Sequence, residues 1–299
     1  MPDGIGGVFV LHLYNCKKWR NKDVLIQAME DLVQEFNLSV LSKVELSPLT
    51  LDFSKNKFQE YCHLTYKIGS GDLTAYPILE KIAAKKKPII LSTGLSTLEE
   101  VLDAVGFIQK IDERYTSPYY LALLQCTSMY PIANEEANLM AMNTLKKASG
   151  LTVGYSDHTE GMQALVVATA MGAEILEFHF TDTREGQTFR DHKVSLTLAE
   201  TKALQTEIRL IREFQGDGIK KPLDCERDHR VSFRRAIYPA MDIPAGTQLT
   251  AEHLIYLRPN HGIDARDYQK TLGKYTKIDL KAHQKLEWHF LSEDPLHQN

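Results

Sequence analysis

The sequence is poor in cysteine and has no long apolar run, and each absence excludes a class of protein. Its cysteines, Cys16, Cys62, Cys126 and Cys225, are far apart and form no C-x-x-C pair. Their spacing argues against a disulfide framework and a zinc site built from cysteines, and it suits reduced thiols in a cytoplasm. No apolar run approaches the roughly 18 residues that a membrane-spanning helix requires. The first residues show no cleavage site of a secretory signal, so we expect a cytoplasmic protein.

The chain also lacks a strong charge of either sign. Its formal net charge is -4 over 299 residues, and basic runs such as Lys85-Lys86-Lys87 are short, as in solvated surface turns. We therefore expect no nucleic-acid partner and no membrane partner. The hydrophobic fraction of 43% is ordinary for a globular protein, and the length suffices for one large domain and one small domain.

Short apolar runs alternate with longer amphipathic runs between residues 38 and 215. The strand-like runs occupy residues 38–43, 65–69, 88–93, 120–126, 152–156 and 175–180. The helical stretches occupy residues 76–84, 97–111, 139–148, 161–171 and 198–214. Nearly continuous apolar strands separated by helices predict a parallel sheet covered by helices, either an open doubly wound sheet or most of a barrel.

Polar residues at the ends of these strands favour the barrel. Almost every strand ends in a reactive or small polar cluster, at residues 67–72, 92–94, 126–128, 156–158 and 179–181. Such clusters converge on one mouth only if the strands close into a ring. We therefore predict an α/β fold with a TIM-type (β/α) barrel domain at residues 1–214. The next segments are predicted to be a linker at 215–230, a small mainly β domain at 231–291 and a tail at 292–299.

Two histidines stand out as candidate metal ligands. His158 follows the run VGYSD and His179 lies near the end of ILEFHF, so they are one strand–helix unit apart. Both side chains are then expected to face the same mouth from adjacent strands. A pair of imidazoles with open coordination positions suits a divalent metal that also binds substrate oxygens. The alternative is two unrelated polar histidines near loops.

Two further segments suit an anion. Lys67 lies within the strand of YKIGSGD, where a buried ammonium is costly without an anionic ligand or a Schiff-base role. The alternative is a lysine whose head group reaches the rim of the barrel. The segment LSTG at 91–94 offers hydroxyl groups and close approach to backbone N–H groups, which suits phosphate, although ordinary turns use the same residues.

These motifs occur together in one known family. The segments YKIGSGDLTAYPILEKIAAKKKPIILSTGLSTLEEV, LLQCTSMYP, VGYSDHTEG and LEFHFT, in this order, resemble the N-acetylneuraminate (sialic acid) synthase family, which includes the legionaminic and pseudaminic acid synthases. The segment DIPAGTQLTAEHLIYLRPNHGI resembles the C-terminal antifreeze-like (SAF) domain of that family.

The resemblance implies a reaction, a metal and a homodimer. Phosphoenolpyruvate would condense with an N-acetylhexosamine, N-acetylmannosamine or a related sugar, to give a nine-carbon 2-keto sugar acid and phosphate. A divalent metal, Mn2+ or Mg2+, would be held by His158 and His179 and would act as a Lewis acid. Arg258, in the SAF domain, matches an arginine that contacts the N-acetyl group of the sugar in the partner subunit, which implies a domain-swapped homodimer.

The resemblance also implies substrate-binding and catalytic positions. The positions that hold phosphoenolpyruvate are matched by Lys67, Ser70, Ser92 and Ser156. The positions that contact the sugar are matched by Asp72, Tyr130 and Asp191. Ser128 stands where the family commonly has Asn and is a further candidate for substrate binding. The candidate catalytic residues are then Lys67, Asp72 and Tyr130.

The chain departs from the family at its first motifs. The family's first strand carries E-I-G-x-N-H-N-G, whose glutamate acts in catalysis, and its second strand carries a V-K-F-Q lysine; neither motif is matched. We therefore predict a barrel that lacks its usual first one or two strand–helix units, with residues 6–15 as a candidate strand. The alternative function is a catalytically silent relative that binds sugar or pairs with a complete synthase. A two-histidine metallohydrolase is disfavoured because no third protein ligand is evident.

Overall fold

The computed structural model describes residues 8–13 and 65–295, and the chain divides into two compact units. The first unit is Met1–Gly216 and the second is Asp217–Asn299. The division falls within the segment that the sequence predicts as a linker. The strand predicted at residues 38–43 lies outside the described residues.

Seven strands in the described part of the first unit form one parallel sheet. They are β1 (Val8–Leu13), β2 (Tyr66–Ile68), β3 (Ile89–Ser92), β4 (Leu121–Cys126), β5 (Thr152–Ser156), β6 (Ile175–Phe180) and β7 (Ser195–Leu196). Their order is β1-β6-β5-β4-β3-β2, with β7 beside β6. Strands β2 to β6 lie within the runs that the sequence predicts as strands, and β1 lies within residues 6–15. The prediction of a parallel α/β sheet is therefore confirmed.

A helix follows each strand of the sheet from β2 onward. These helices are α1 (Tyr76–Ala83), α2 (Leu98–Ile111), α3 (Ala141–Ser149), α4 (Gln163–Ala170), α5 (Asp191–Val194) and α6 (Leu198–Gln215). Thr97 is the N-cap residue of α2 and Thr197 is that of α6, and each forms a capping box with the glutamate three residues later. Gly150 ends α3 with a φ of 69°, which glycine adopts without strain. Among the described residues, no helix combines the length and apolar character needed to cross a bilayer.

Side-chain alternation along the strands separates two faces of the sheet. The outer face packs against the helices through a large apolar core that includes Leu91, Leu123, Tyr155 and Phe178. The inner face carries a smaller apolar cluster made of Ile90, Ala122, Leu124 and Ile175. Polar side chains lie above this cluster, towards the carboxyl ends of the same strands. The inner face is thus built in layers, as the interior of a barrel is.

The second unit is small and contains mainly short strands. Its elements are α7 (His229–Ser232), β8 (Ala236–Pro239), β9 (Leu254–Leu257), α8 (Tyr268–Thr271), β10 (Tyr275–Thr276) and β11 (Leu291–Ser292). Strand β8 pairs antiparallel with β9, and β10 pairs antiparallel with β11. Its separate core consists of Ile237, Ile243, Leu249, Leu254, Ile263, Leu280, Leu286 and Leu291. The prediction of a small, mainly β domain after the barrel is confirmed.

Replacing Gly154 with alanine is expected to destabilise the first unit, because β5 passes close to the start of β6 at this residue. A Cβ atom on Gly154 would lie 2.7 Å from Ile175 Cβ and 2.8 Å from its carbonyl carbon. Overpacking of this kind costs about 1–3 kcal/mol, which urea unfolding followed by circular dichroism measures. The control is Gly106→Ala within α2, where an added Cβ has no atom within 4 Å and alanine is favoured by about 1 kcal/mol. Equal stability of Gly154→Ala and the unsubstituted protein would contradict the close approach.

Candidate active site

The polar layer of the inner face lies at the carboxyl ends of five neighbouring strands. Its buried members are Lys67 on β2, Ser92 on β3, Cys126 on β4, Ser156 on β5, and Glu177 and His179 on β6. Because parallel strands end at the same edge of a sheet, these side chains share one mouth. The expectation that polar strand ends converge is confirmed for these residues.

Two buried imidazoles form the centre of this mouth. The ring centroids of His158 and His179 are 5.3 Å apart, with the ring planes inclined by 63°. The ring of Tyr130 lies against both, with centroid distances of 4.0 Å to His158 and 5.4 Å to His179. The prediction that the two histidines face one mouth from adjacent strands is confirmed.

Hydrogen bonds fix the ring of His158. Its Nδ1 atom lies 2.7 Å from the carbonyl oxygen of Thr127. Because a carbonyl oxygen only accepts hydrogen bonds, Nδ1 carries the proton, and in the neutral ring Nε2 has the lone pair. The backbone oxygen of His158 accepts a hydrogen bond from the Ile132 N–H at 3.0 Å. In the neutral ring, Nε2 is therefore the nitrogen that is able to accept a hydrogen bond or bind a cation.

The neighbouring Asp157 holds the turn that carries His158. Its Oδ1 atom accepts hydrogen bonds from the Tyr155 hydroxyl at 3.0 Å and from the Thr159 N–H at 2.8 Å. Its Oδ2 atom accepts one from the Thr159 hydroxyl at 3.1 Å. Burial raises the pKa of Asp157, and these hydrogen bonds oppose that rise without cancelling it. Asp157 thus acts as an internal acceptor that orders the turn.

A thiol lies beside His158. Cys126 Sγ is 3.8 Å from His158 Nδ1 and 3.9 Å from Ser128 Oγ. Burial raises the pKa of Cys126, but His158, Ser156 and Ser70 together outweigh burial and leave the pKa below its usual value. Burial lowers the pKa of His158, but Cys126, the Thr127 carbonyl and the Glu177 charge together outweigh it and leave the pKa raised. Each group therefore favours the charged form of the other.

Tyr130, Arg190 and Asp191 surround the histidine pair. The guanidinium carbon of Arg190 lies 4.9 Å from the centre of the Tyr130 ring, and Arg190 Nε lies 3.3 Å from Asp191 Oδ1. Asp191 Oδ2 is 3.9 Å from His179 Nδ1. Burial raises the pKa of Tyr130 far above its usual value, so its hydroxyl is neutral at pH 7, and burial also raises the pKa of Asp191. The structure thus brings two predicted sugar contacts, Tyr130 and Asp191, to the imidazoles.

Lys67 is buried, as expected, and its counter-ion is part of the protein. Its Nζ atom lies 3.1 Å from Glu177 Oε2, and the two side chains are 6% and 7% exposed. Nζ also donates to the Ser92 hydroxyl at 2.8 Å and to the Ile68 carbonyl at 3.1 Å. The Ser92 hydroxyl in turn lies 3.3 Å from Glu177 Oε2, to which it donates. The alternative of a lysine that reaches the rim is therefore wrong.

The same ion pair shows that the sheet is strongly curved. Lys67 lies on β2 and Glu177 lies on β6, four strands apart in the sheet order. In a flat sheet their backbones would be about 19 Å apart, since neighbouring strands are spaced by about 4.8 Å. Two side chains cannot span that distance, so the sheet must curl around its inner face. The barrel prediction is preferred over an open doubly wound sheet for this reason.

Two of the predicted serines meet at Gly94. The Gly94 N–H donates to Ser70 Oγ at 3.0 Å. A Cβ atom on Gly94 would lie 2.9 Å from Ser70 Oγ and even closer to Ser128 Oγ. The absence of a side chain at Gly94 therefore lets both hydroxyl groups approach the backbone. The phosphate expected at the LSTG segment stays a prediction, and in this structure the Gly94 N–H donates to Ser70. Ser70 and Ser128 lie at the rim and are less buried than Ser92 and Ser156.

The other two predicted site residues, Asp72 and Arg258, are exposed. Asp72 is exposed in the short 3-10 turn after β2. Arg258 belongs to the second unit and follows β9, where its guanidinium carbon lies 5.8 Å from the centre of the exposed Phe233 ring. The loop after Arg258 is fixed, because the Tyr238 hydroxyl donates to the Pro259 carbonyl at 2.6 Å and the Asn260 N–H donates to the Val231 carbonyl at 2.8 Å.

The two imidazoles fit part of a metal site. An imidazole nitrogen binds a divalent metal at about 2.0–2.1 Å, and rings 5.3 Å apart at a steep angle can share one cation. Within residues 65–295 there is no group of three or more His, Cys, Asp or Glu side chains arranged to hold a metal. The described residues would therefore supply two ligands, His158 and His179. The metal remains a prediction.

The sequence did not single out Glu177 or Arg190. A signal for Glu177 exists: it is the one acidic residue in the run ILEFHF and precedes His179 by two positions, which places both on the same face of a strand. Arg190 follows an irregular segment after β6, where no periodicity indicates which side chains turn inwards.

Family models match both parts of the chain. The NeuB family model matches residues 42–220, and the SAF domain model matches residues 234–292. The chain belongs to the NeuB family. It is 41% identical over 216 residues to the N,N'-diacetyllegionaminic acid synthase of Campylobacter jejuni, covering 72% of this chain and 64% of that protein. It is 33% identical over 220 residues to the N-acetylneuraminate-9-phosphate synthase of Mus musculus, covering 72% of this chain and 59% of that protein.

Solved structures confirm the fold of this NeuB-family chain. It superimposes on a spore coat polysaccharide biosynthesis protein E of Chromobacterium violaceum with a TM-score of 0.72 and 18% identity, covering 95% of this chain and 99% of that one. At this identity the likeness concerns the fold alone. The first curated relatives are longer, since the matched part of the chain spans 62–66% of their length.

Replacing Gly94 with alanine is expected to separate the Ser70 and Ser128 hydroxyls from the backbone. The added methyl group occupies their place and breaks the hydrogen bond from Gly94 to Ser70, so stability falls by about 1 kcal/mol. Urea unfolding measures the loss. Gly71→Ala on the same rim is the control, because an added Cβ there has no atom within 4 Å. A loss of the same size in both variants would refute the steric explanation.

Acidification is expected to weaken the second unit through Asp264, which lies near the Arg258 loop. Hydrogen bonds from the Arg266 side chain and backbone, and from Asn260, hold the pKa of Asp264 well below its usual value. Because the pKa of Asp264 is lower in the folded than in the unfolded state, its ionised form stabilises the fold at pH values above the unfolded-state pKa of about 3.9. This stabilisation is lost as the pH falls from that value towards the folded-state pKa. Thermal unfolding between pH 7 and pH 3 should therefore show a stability gap between the unsubstituted protein and Asp264→Asn that shrinks below about pH 4. A gap that widens on acidification would exclude this role.

Proposed function

We propose that this NeuB-family protein condenses phosphoenolpyruvate with an N-acetylated hexosamine to give a nine-carbon 2-keto sugar acid and phosphate. The observation that carries the proposal is the pair of buried imidazoles, His158 and His179, with ring centroids 5.3 Å apart at the mouth of the barrel. The names of the relatives support it, since they are synthases of legionaminic acid and of N-acetylneuraminate 9-phosphate.

The proposed reaction forms one carbon–carbon bond and releases phosphate. C3 of phosphoenolpyruvate bonds to the aldehyde carbon of the open-chain sugar, water adds at C2, and the bond from C2 to the phosphate oxygen breaks. The oxygen of the water becomes the keto oxygen of the product. Its two protons end on the new hydroxyl group and on the phosphate, so atoms and charge balance.

The residues of the mouth divide this work. Lys67 and the Ser92 hydroxyl, 2.8 Å apart, form the cationic end that suits the carboxylate and phosphate of phosphoenolpyruvate. Tyr130 keeps a neutral hydroxyl, because burial raises its pKa, and can donate a hydrogen bond to the sugar. Asp191, held by Arg190, is an acceptor for a sugar hydroxyl. The roles of Ser70, Ser128, Ser156 and Asp72 in binding these substrates are part of the same proposal.

His158 and His179 would hold the divalent cation, Mn2+ or Mg2+. When bound, this cation supplies Lewis-acid polarisation of the aldehyde oxygen. The protein fixes the ligand geometry, because the Thr127 carbonyl orients His158 through Nδ1. We also propose that Arg258 of one subunit binds the N-acetyl group of a sugar held by the other subunit of a homodimer; its exposed position and fixed loop support that role.

Replacing either His158 or His179 with glutamine is expected to weaken Mn2+ binding by more than about 100-fold, because each change removes one of two protein ligands. Isothermal titration calorimetry measures the affinity. In the same preparations, phosphate release from phosphoenolpyruvate should require both Mn2+ and an N-acetylhexosamine such as N-acetylmannosamine, and should disappear in both variants.

The matched control is His289→Gln, which removes an exposed histidine of the second unit that pairs with Glu287 at 3.2 Å. It should leave metal affinity and phosphate release unchanged. A preparation that binds Mn2+ and sugar but releases no phosphate would contradict the synthase proposal and support the silent relative instead. If His158→Gln or His179→Gln bound Mn2+ as tightly as the unsubstituted protein, the proposal that these two histidines hold the metal would be wrong.

A further inference from the structure

We infer that Glu177 is an internal counter-ion of Lys67 that a substrate anion has to displace, so that Glu177 sets how tightly the mouth binds anions. The inference deepens the proposed function and rests on it for the identity of the natural anion, phosphoenolpyruvate. The interaction between the two side chains is a property of the protein itself.

The Lys67 ammonium uses all of its hydrogen-bond donors within the protein. A lysine ammonium has three N–H donors. Three oxygen atoms lie within 3.1 Å of Nζ: the Ile68 carbonyl, the Ser92 hydroxyl and Glu177 Oε2. All three donors therefore have protein acceptors. An incoming anion can receive a hydrogen bond from Lys67 only if one of these contacts breaks.

The contact between Lys67 and Glu177 is the one that an incoming anion would break. Ile68 and Ser92 present neutral oxygens, whereas Glu177 presents a carboxylate. A substrate anion and the Glu177 carboxylate would repel each other within a few ångströms in a site where both side chains are almost fully buried. They therefore compete for Lys67 instead of sharing it. The Ser92 hydroxyl, which donates to Glu177 at 3.3 Å, can rotate to donate to the anion in its place.

Lys67 needs a negative partner when no substrate anion is bound, and Glu177 is that partner. A buried ammonium without a negative partner is strongly unfavourable. Glu177 removes this cost while the mouth holds no substrate and keeps Lys67 pointing into the barrel. A multiply charged phosphate ester can exceed the attraction of one carboxylate, whereas a singly charged anion such as chloride has no such advantage. The pair thus favours binding of highly charged anions.

The test is Glu177→Gln, which keeps the shape of the side chain and an oxygen that accepts from Lys67 but removes the charge. Without added phosphate, the melting temperature should fall by roughly 10 °C, because the buried ammonium has lost its partner. Inorganic phosphate and phosphoenolpyruvate, titrated by calorimetry at constant ionic strength, should each bind at least about tenfold more tightly than in the unsubstituted protein. Phosphate should also restore most of the lost melting temperature.

Two controls isolate the interaction. Glu174→Gln removes an exposed carboxylate that pairs with Lys146 at 2.8 Å in the same unit, and it should change neither melting temperature nor phosphate affinity. Adding Lys67→Met to Glu177→Gln removes the cation, and the response to phosphate should disappear. If Glu177 had only a structural role, Glu177→Gln would lower the melting temperature without increasing the affinity for phosphate.

Phosphate affinity in Glu177→Gln that is equal to or weaker than that of the unsubstituted protein overturns the inference. If Glu177→Gln does not fold, Glu177→Asp, whose carboxylate is withdrawn by one methylene, serves in the same titration, and unchanged phosphate affinity there has the same meaning. Tighter phosphate binding without any sugar-dependent turnover would leave the inference standing and would count against the synthase function. Sugar-dependent turnover without tighter phosphate binding in Glu177→Gln would overturn the inference and support the synthase function.

Discussion

The ion pair between Lys67 and Glu177 is the constraint on which the site depends. It joins β2 to β6, four strands apart in the sheet, at an Nζ–Oε2 distance of 3.1 Å. Neither charge is tolerable in the interior alone, so the two strands are held where their side chains meet. This contact requires the curled sheet, and the curled sheet in turn encloses the inner face and turns the strand ends into a mouth.

Strand register then brings the two histidines together. Ser156 on β5 pairs with Glu177 on β6, so the residues two positions further along, His158 and His179, come side by side. Gly154 permits the close approach, since a larger residue would meet Ile175 at the start of β6. Asp157 and the Thr127 carbonyl add the local hydrogen bonds that fix the turn and the ring of His158. The spacing of 5.3 Å between the rings follows from backbone pairing and is refined by these bonds.

The sequence predicted the features that depend on local pattern and the closure of the strands into a barrel, but it missed the contacts between strands that face each other across the interior. Helix α1 was expected at 76–84 and runs from Tyr76 to Ala83. The histidine pair followed from its spacing of one strand–helix unit. For Lys67, the cost of burying an ammonium led to the prediction of an anionic ligand or a Schiff-base role, whereas the structure shows a protein carboxylate, Glu177, from a distant strand. The ligand itself stays a prediction. Periodicity does not encode how far a sheet curls, so it cannot state which strands face each other across the interior.

Strand β6 links the two ends of the proposed chemistry. Glu177 and His179 lie two residues apart on one face, so the carboxylate that neutralises Lys67 is also a neighbour of a proposed metal ligand. Glu177 offsets the charge of Lys67 before any ligand arrives, and a phosphate ester would add several negative charges at once. A divalent cation at the imidazoles, as proposed, would offset part of that added charge. The arrangement therefore favours cation and anion binding together over either one alone, which suits a reaction in which an anionic donor must meet a polarised aldehyde.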